Sequence, residues 1–196
     1  MPKKGSYAKG IAKREEILSR ALEVFADKGY RKASLREIAE SVGLSQAGLL
    51  HHFSSKEELF SEVLRKRDEV DTGTAALDDQ WHDAADGLVR VVRHNADVPG
   101  LVQLYATLSA EAADPDHPGH GYFIERYRKI VAGLEQHVRA EQEAGRMTTA
   151  VDARTVAQLG IAVADGMQVQ WMLDPSADMA EVLTAFWTLV RTGPVV

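Results

Sequence analysis

With 196 residues, 45% hydrophobic and 27% charged, the chain has the make-up of a soluble globular protein with room for one large or two small domains. It has no cysteine, which excludes disulfides, thiolate metal sites and a cysteine nucleophile. No apolar run is long enough to span a bilayer or form a signal-peptide core, so a cytoplasmic location without a membrane partner is expected. The net charge of -6 divides unevenly: residues 1–70 hold 14 basic and 11 acidic residues, and residues 71–196 hold 9 and 18. Contact with a polyanion is therefore expected only at the N-terminal end.

Helical periodicity runs through the sequence. Ile17, Leu18, Ala21, Leu22 and Phe25 put one apolar face on a helix predicted from about Lys9 to Lys28, with Gly29 as its stop. Ser34-Leu-Arg-Glu37 reads as a capping box opening a short helix that ends before Gly43. Ser45 restarts a helix carrying Leu49 inward, and Ser55-Lys-Glu-Glu58 is a second capping box ahead of Leu59, Phe60, Val63 and Leu64. Asp71-Thr-Gly-Thr74 is the candidate boundary. Five longer helices are predicted beyond it, at about Leu77–Asn95, Pro99–Ala112, Gly119–Ala144, Asp152–Leu173 and Ser176–Arg191. Pro99 and Pro118 suit first turns; Gly145, Asp174-Pro175 and Gly193-Pro194 suit ends. No run alternates long enough for a strand, so the fold class is all-α.

The informative stretch is Ser34 to Lys56. Two short helices meet at a tight turn containing Gly43, with small Ala39 where they must approach. A helix-turn-helix has this pattern, its second helix entering a major groove about 12 Å wide. Ordinary helical hairpins share the bare pattern.

More distinctive is the order Glu15-Glu-Ile-Leu-Ser-Arg-Ala-Leu-Glu-Val-Phe-Ala-Asp-Lys-Gly-Tyr30, Ser34-Leu-Arg-Glu-Ile-Ala-Glu40, Val42-Gly-Leu-Ser-Gln46, Leu50-His-His-Phe53 and Ser55-Lys-Glu-Glu-Leu59. Together these segments resemble the DNA-binding domain of the TetR family of bacterial regulators over about residues 11–64. The resemblance implies a three-helix DNA-binding domain at 1–54. A helical ligand-sensing and dimerisation domain would follow at 55–196, with the helix at 55–70 as connector. It implies that Ser45, Gln46, Ala47 and Gly48 open the recognition helix, with Gln46 able to pair bidentately with adenine. Ser34 and Lys56 match phosphate-holding positions, and Arg36, His51 and His52 join the DNA-facing set. The family commonly has tyrosine where this chain has Leu50, so a phosphate-bonding phenol is missing. Leu35, Ile38, Val42, Leu44, Leu49 and Phe53 read as core. Lys3, Lys4, Lys9, Lys13 and Arg14, with no acid among positions 1–14, form an arm that either trails along DNA or is a solvated tail.

In the C-terminal part the resemblance implies dimerisation through the last two long helices. Val156, Leu159, Val163, Leu183, Phe186 and Val190 are the candidate interface, with Ala162, Ala164 and Gly166 allowing close approach. A monomer burying those faces internally is the alternative. Candidate residues for an unidentified small-molecule effector are Trp81, Tyr105, Tyr127, Met167, Gln170 and Trp171. Glu111-Ala-Ala-Asp-Pro-Asp-His-Pro-Gly-His120 gathers histidines and carboxylates, but cap-and-link chemistry explains them and no metal or other cofactor is expected. No phosphate-binding glycine loop, G-x-S-x-G or H-E-x-x-H appears, so an enzyme is not expected. The function expected is a ligand-responsive repressor, a homodimer on a double-stranded palindromic operator. A helical interaction module without DNA binding is the first alternative and a helical enzyme the second.

Overall fold

A computed structural model of the protein describes residues 4–28, 32–77 and 84–192. Among them are α1 (Lys4–Lys28), α2 (Leu35–Ser41), α3 (Gln46–Leu50), α4 (Lys56–Leu77) and α5 (Ala84–Asn95). They are followed by α6 (Pro99–Glu111), α7 (His120–Glu143), α8 (Ala153–Leu173) and α9 (Met179–Val190). The fold is all-α, as the periodicity predicts. The only extended pairing among the described residues is one antiparallel bridge, Met147 to Arg191.

Several boundaries differ from the sequence reading. Helix α1 begins at Lys4, so most of the expected basic arm is helical. Helix α4 continues to Leu77, through the candidate boundary at Asp71–Thr74, so the chain passes from one unit to the other within a helix. Gly73 costs a helix only about 1 kcal/mol against alanine, too little to stop one of this length. Helix α9 starts at Met179 because Asp178 is its cap, its carboxylate accepting the Glu181 amide at 2.8 Å. The stops expected at Gly29 and Gly193-Pro194, and residues 78–83 of the helix predicted from Leu77, lie outside the described residues.

The chain forms two compact units, residues 1–72 with 98–122, and residues 73–97 with 123–196. In the first, α1 buries Ile17, Leu18, Ala21 and Phe25, and α4 buries Leu59, Phe60, Val63 and Leu64. Phe25 meets Phe60 edge to face at 4.6 Å, a favoured aromatic geometry. Helix α6 packs on α1 and buries Leu104, Tyr105 and Leu108. Segment 1–54 lies within this unit.

In the second unit α5, α7, α8 and α9 enclose a core that includes Val92, Leu134, Val138, Val156, Ile161, Met167, Leu183 and Trp187. Helix α7 ends in a Schellman turn: Gly145 takes φ +74°, and the Arg146 amide reaches the Glu141 carbonyl at 2.8 Å. The α8–α9 approach depends on Gly160, where a β-carbon would lie 2.7 Å from the Trp187 ring. Gly166, one of the small residues expected to let a second subunit approach, has open space beside it in the single chain. Gly160→Val should therefore force apart a fully packed tryptophan at a cost of roughly 1–3 kcal/mol. Gly133→Ala, in open space on α7, should be neutral or slightly stabilising. Thermal melts of the two variants check the contrast.

Candidate nucleic-acid interface

The candidate reading surface is built from two helices too short to persist alone. Ser34 caps α2 by accepting the Glu37 amide at 3.2 Å. The Glu37 carboxylate bonds Lys28 of α1, so one half of the expected capping box is replaced by an interhelical pair. Helix α2 ends in a Schellman turn with Gly43 at φ +70°. The Leu44 amide reaches the Ala39 carbonyl at 2.9 Å, and the Gly43 amide reaches that of Glu40 at 3.1 Å. A side chain at residue 43 would strain this left-handed backbone, hence the glycine. Ser45 then caps α3, accepting the Gly48 amide at 3.0 Å.

The five residues of α3 divide cleanly between core and solvent. Leu49 is fully buried, with Ile38, Ala39, Val42 and Phe53 buried around the same domain core. Ser45, Gln46 and Ala47 are exposed on the first turn, Gly48 is half-buried, and Leu50 and His51 are exposed at the far end. His52 is half-buried, its ring edge-on to His51 at 6.1 Å. Lys56 opens α4 with its amine 5.0 Å from the Phe60 ring centre. Ser34 and Arg36 are exposed, and Arg36 pairs with Glu40 at 2.8 Å on open surface. An exposed pair of this kind contributes little, so Arg36 can exchange partners.

Behind α3, the structure assigns work that sequence reasoning missed. Lys13 donates to the Val42 carbonyl at 2.6 Å, and Arg14 donates to the His52 carbonyl. Arg14 also pairs with Glu58 at 3.2 Å and Glu62 at 3.6 Å, and covers the Phe53 ring at 4.1 Å. Neither residue belongs to a trailing arm. The available signal was two adjacent cations flanking the apolar face of a helix.

Burial pushes the Glu58 carboxyl up, but hydrogen bonds from the Ser54 hydroxyl and amide and from Arg14 outweigh it. The group titrates below the usual glutamate range. A carboxyl whose folded pKa is depressed contributes stability that is present above its unfolded pKa and disappears as pH falls through the folded one. Glu58→Gln should therefore lower the melting temperature at pH 7 by about 2–4 °C for each kcal/mol lost. The gap to wild type should narrow below about pH 4. Melts of both proteins between pH 7 and pH 3 test this.

The remaining predicted site residues scatter. Trp171 lines a cavity of about 370 Å³ in the second unit, with Val92, Arg93, Asp178 and Met179 also on its wall. Met167 is buried in that unit's core, Gln170 is exposed, and the Tyr127 hydroxyl donates to Asp165 at 2.6 Å. Tyr105 is buried in the first unit, and Trp81 lies outside the described residues. Of these candidates, Trp171 alone is on the wall of this cavity among the described residues. In segment 111–120, His120 Nδ1 donates to the Ala112 carbonyl at 2.8 Å, and His117 Nδ1 accepts the Gly119 amide at 3.0 Å.

Of the expected dimer residues, Val156 and Leu183 are spent inside their own unit, 1% and 0% exposed, and cannot form an outer face. Leu159 is 46% exposed, while Val163, Phe186 and Val190 are half-buried. Val169, Leu173, Val182 and Leu189 are further exposed apolar residues of α8 and α9. Leu173 and Leu189 are more than four-fifths exposed, unusual for leucine on a packed helix.

Comparison with known proteins bears on this reading surface. The family model described as bacterial regulatory proteins of the tetR family matches residues 17–63, the span from α1 through α3 into α4. Over those residues the chain carries the DNA-binding segment of the TetR family. A helix-turn-helix-type transcriptional repressor of Mycobacterium tuberculosis is 29% identical over 140 residues, covering 69% of this chain and 70% of the relative. The repressor KstR2 of Rhodococcus jostii is 31% identical over 121 residues, 61% of this chain and about half of that protein, 52%. A TetR-family regulator from Agrobacterium tumefaciens superposes with a TM-score of 0.71 at 22% identity, covering 93% of this chain and all of the other. That likeness carries the fold alone. The relatives are transcriptional repressors, and the chain is a DNA-binding transcriptional regulator, not an enzyme. TetR regulators bind operators and small-molecule effectors and act as dimers. No described helix of the chain is long and apolar enough to cross a membrane.

Proposed function

We propose that this TetR-family protein is a homodimeric repressor that reads a pseudo-palindromic operator and is released from it by a small apolar effector. The observation that carries the DNA-reading part is the division of α3. Leu49 is sunk in the core while Ser45, Gln46 and Ala47 stand exposed on the adjoining turn. Gln46 reads a base edge; Ser34, Lys56, Arg36, His51 and His52 hold the sugar-phosphate backbone on either side. In a two-fold dimer the paired α3 helices would address half-sites about 34 Å apart or a multiple of that. The exposed apolar residues of α8 and α9 support an isologous four-helix interface.

Repression is supported by the relatives, both named as repressors. For release, the cavity beside Trp171 is the candidate effector site, its volume within the range of small-ligand pockets. Helix α4 spans Lys56–Leu77 and so runs past Thr72, the last residue of the first unit's opening segment, which supports a role for it as the connecting lever. Inverting the population from mostly competent to mostly incompetent requires about 5.5 kcal/mol of differential effector binding. The test is a mobility shift on the DNA upstream of the protein's own gene, repeated after adding candidate apolar metabolites. A specific shift competed by that DNA and not by a scrambled duplex is expected. A dimer that binds both duplexes equally would reject the operator assignment.

A further inference from the structure

A reading helix must be held to within about 0.5 Å and 10–20° of its productive pose for side chains to meet base edges. Helix α3 has five residues, far below the roughly 12–15 at which an isolated helix becomes even marginal. Its buried Leu49 fixes how deep it sits, and Val42 and Phe53 are buried at its flanks, but apolar contacts are non-directional and set its tilt only loosely.

Tilt is fixed by what happens at the two ends of the segment. The last carbonyls of a helix have no intrahelical partner. The turn after α2 satisfies Ala39 and Glu40, and the Val42 carbonyl receives the Lys13 ammonium. Ten residues on, just past α3, the His52 carbonyl receives the Arg14 guanidinium. Both donors are neighbours on α1, the helix whose apolar face builds the domain core. Cations at helix C-termini are also favoured by the backbone dipoles.

We infer that Lys13 and Arg14 form a two-point clamp on the carbonyls of Val42 and His52, and are positioning residues for operator reading, not phosphate-binding ones. Arg14 is the stronger point. Glu58, Glu62 and the Phe53 ring surround it, so its planar fork is held on several sides at once. Lys13 is braced by Glu16 at 3.0 Å. A phosphate would compete with the carbonyl and carboxylate partners that both cations already hold.

The two roles separate by salt dependence. Each phosphate contact adds about 0.9 to the slope of log affinity against log salt, and removing one lowers affinity on any duplex alike. A clamp residue contributes to neither. The experiment uses the whole 196-residue chain with Lys13→Met, Arg14→Gln and Arg14→Lys. Affinity is measured by fluorescence anisotropy between 50 and 200 mM salt, on the operator and on a scrambled duplex. Wild-type discrimination between the duplexes is measured first, so failure of the operator reading is seen independently. Lys13→Met should weaken operator binding about 5- to 20-fold, with scrambled-duplex affinity and salt slope unchanged. Arg14→Gln should weaken it further, with Arg14→Lys recovering part of the loss. Melts run in parallel, and Lys13→Met, which leaves the Arg14 cluster intact, decides the matter if Arg14→Gln is too unstable to assay. Equal loss on both duplexes with a reduced slope would overturn the clamp in favour of direct phosphate contact. Unchanged operator affinity in Lys13→Met would also overturn it.

Discussion

Leu189→Glu should turn a dimer into monomers and lower operator affinity by about 10²- to 10⁴-fold, while leaving helicity and the affinity of a single half-site nearly intact. That range is the gain from tethering two binding modules in a geometry that lets both engage at once. Leu189 is 83% exposed in the single subunit, so the substitution displaces no core packing there. Leu159, Val169, Leu173 and Val182 are also exposed on α8 and α9, which is where a charge would do most damage to a second copy. Leu159→Glu should act in the same direction. Leu183→Glu is the instructive contrast, because Leu183 is wholly buried and a charge there should unfold the subunit itself. Sedimentation at micromolar concentration and operator titration check the series. A wild-type protein that sediments as a monomer would refute the interface.

Gln46→Ala should reduce operator affinity by roughly 1–3 kcal/mol and relax the preference at one base position in each half-site. Gln46 is exposed at the first position of α3, and the Ser45 cap that starts the helix does not use its side chain. Truncation therefore removes a reader without loosening what holds it. Lys56→Ala should instead lower affinity evenly across sequences and flatten the salt dependence, because a phosphate contact carries no base information. A panel of operators substituted one position at a time, titrated with both variants, separates the outcomes. If both variants lose affinity with unchanged base preference, Gln46 is not the reader.

The DNA-binding half was legible because local signals there agree with the tertiary arrangement. Ser34 and Ser45 cap, Gly43 takes the left-handed turn, and Leu49 and Phe53 fall on the buried side. What escaped the sequence depends on contacts between segments distant in the chain. Arg14 meets Glu58 across 44 positions, and Lys13 meets Val42 across 29; nothing local distinguishes them from a solvated basic arm. Val156 and Leu183 read as surplus apolar surface because periodicity gives the apolar face but not which edge of it is covered. Gly160 passed unnoticed because its reason is the Trp187 ring on another helix. The effector candidates scattered for the same cause: Met167, Gln170 and Trp171 are close in sequence, yet one is buried, one faces solvent and one lines the cavity.

The split of α3 into one buried residue and an exposed opening turn has a consequence for how such a protein diversifies. The exposed side chains proposed to meet DNA are set apart from those that keep the domain folded, and the bonds at the ends of α3 go to main-chain carbonyls at Val42 and His52. Main-chain carbonyls survive any substitution. Exchanges at Gln46, Ala47 or Leu50 can therefore retarget a duplicated gene to a new promoter at small thermodynamic cost. Inheritance can then act on the address that the regulator recognises separately from the scaffold that carries it.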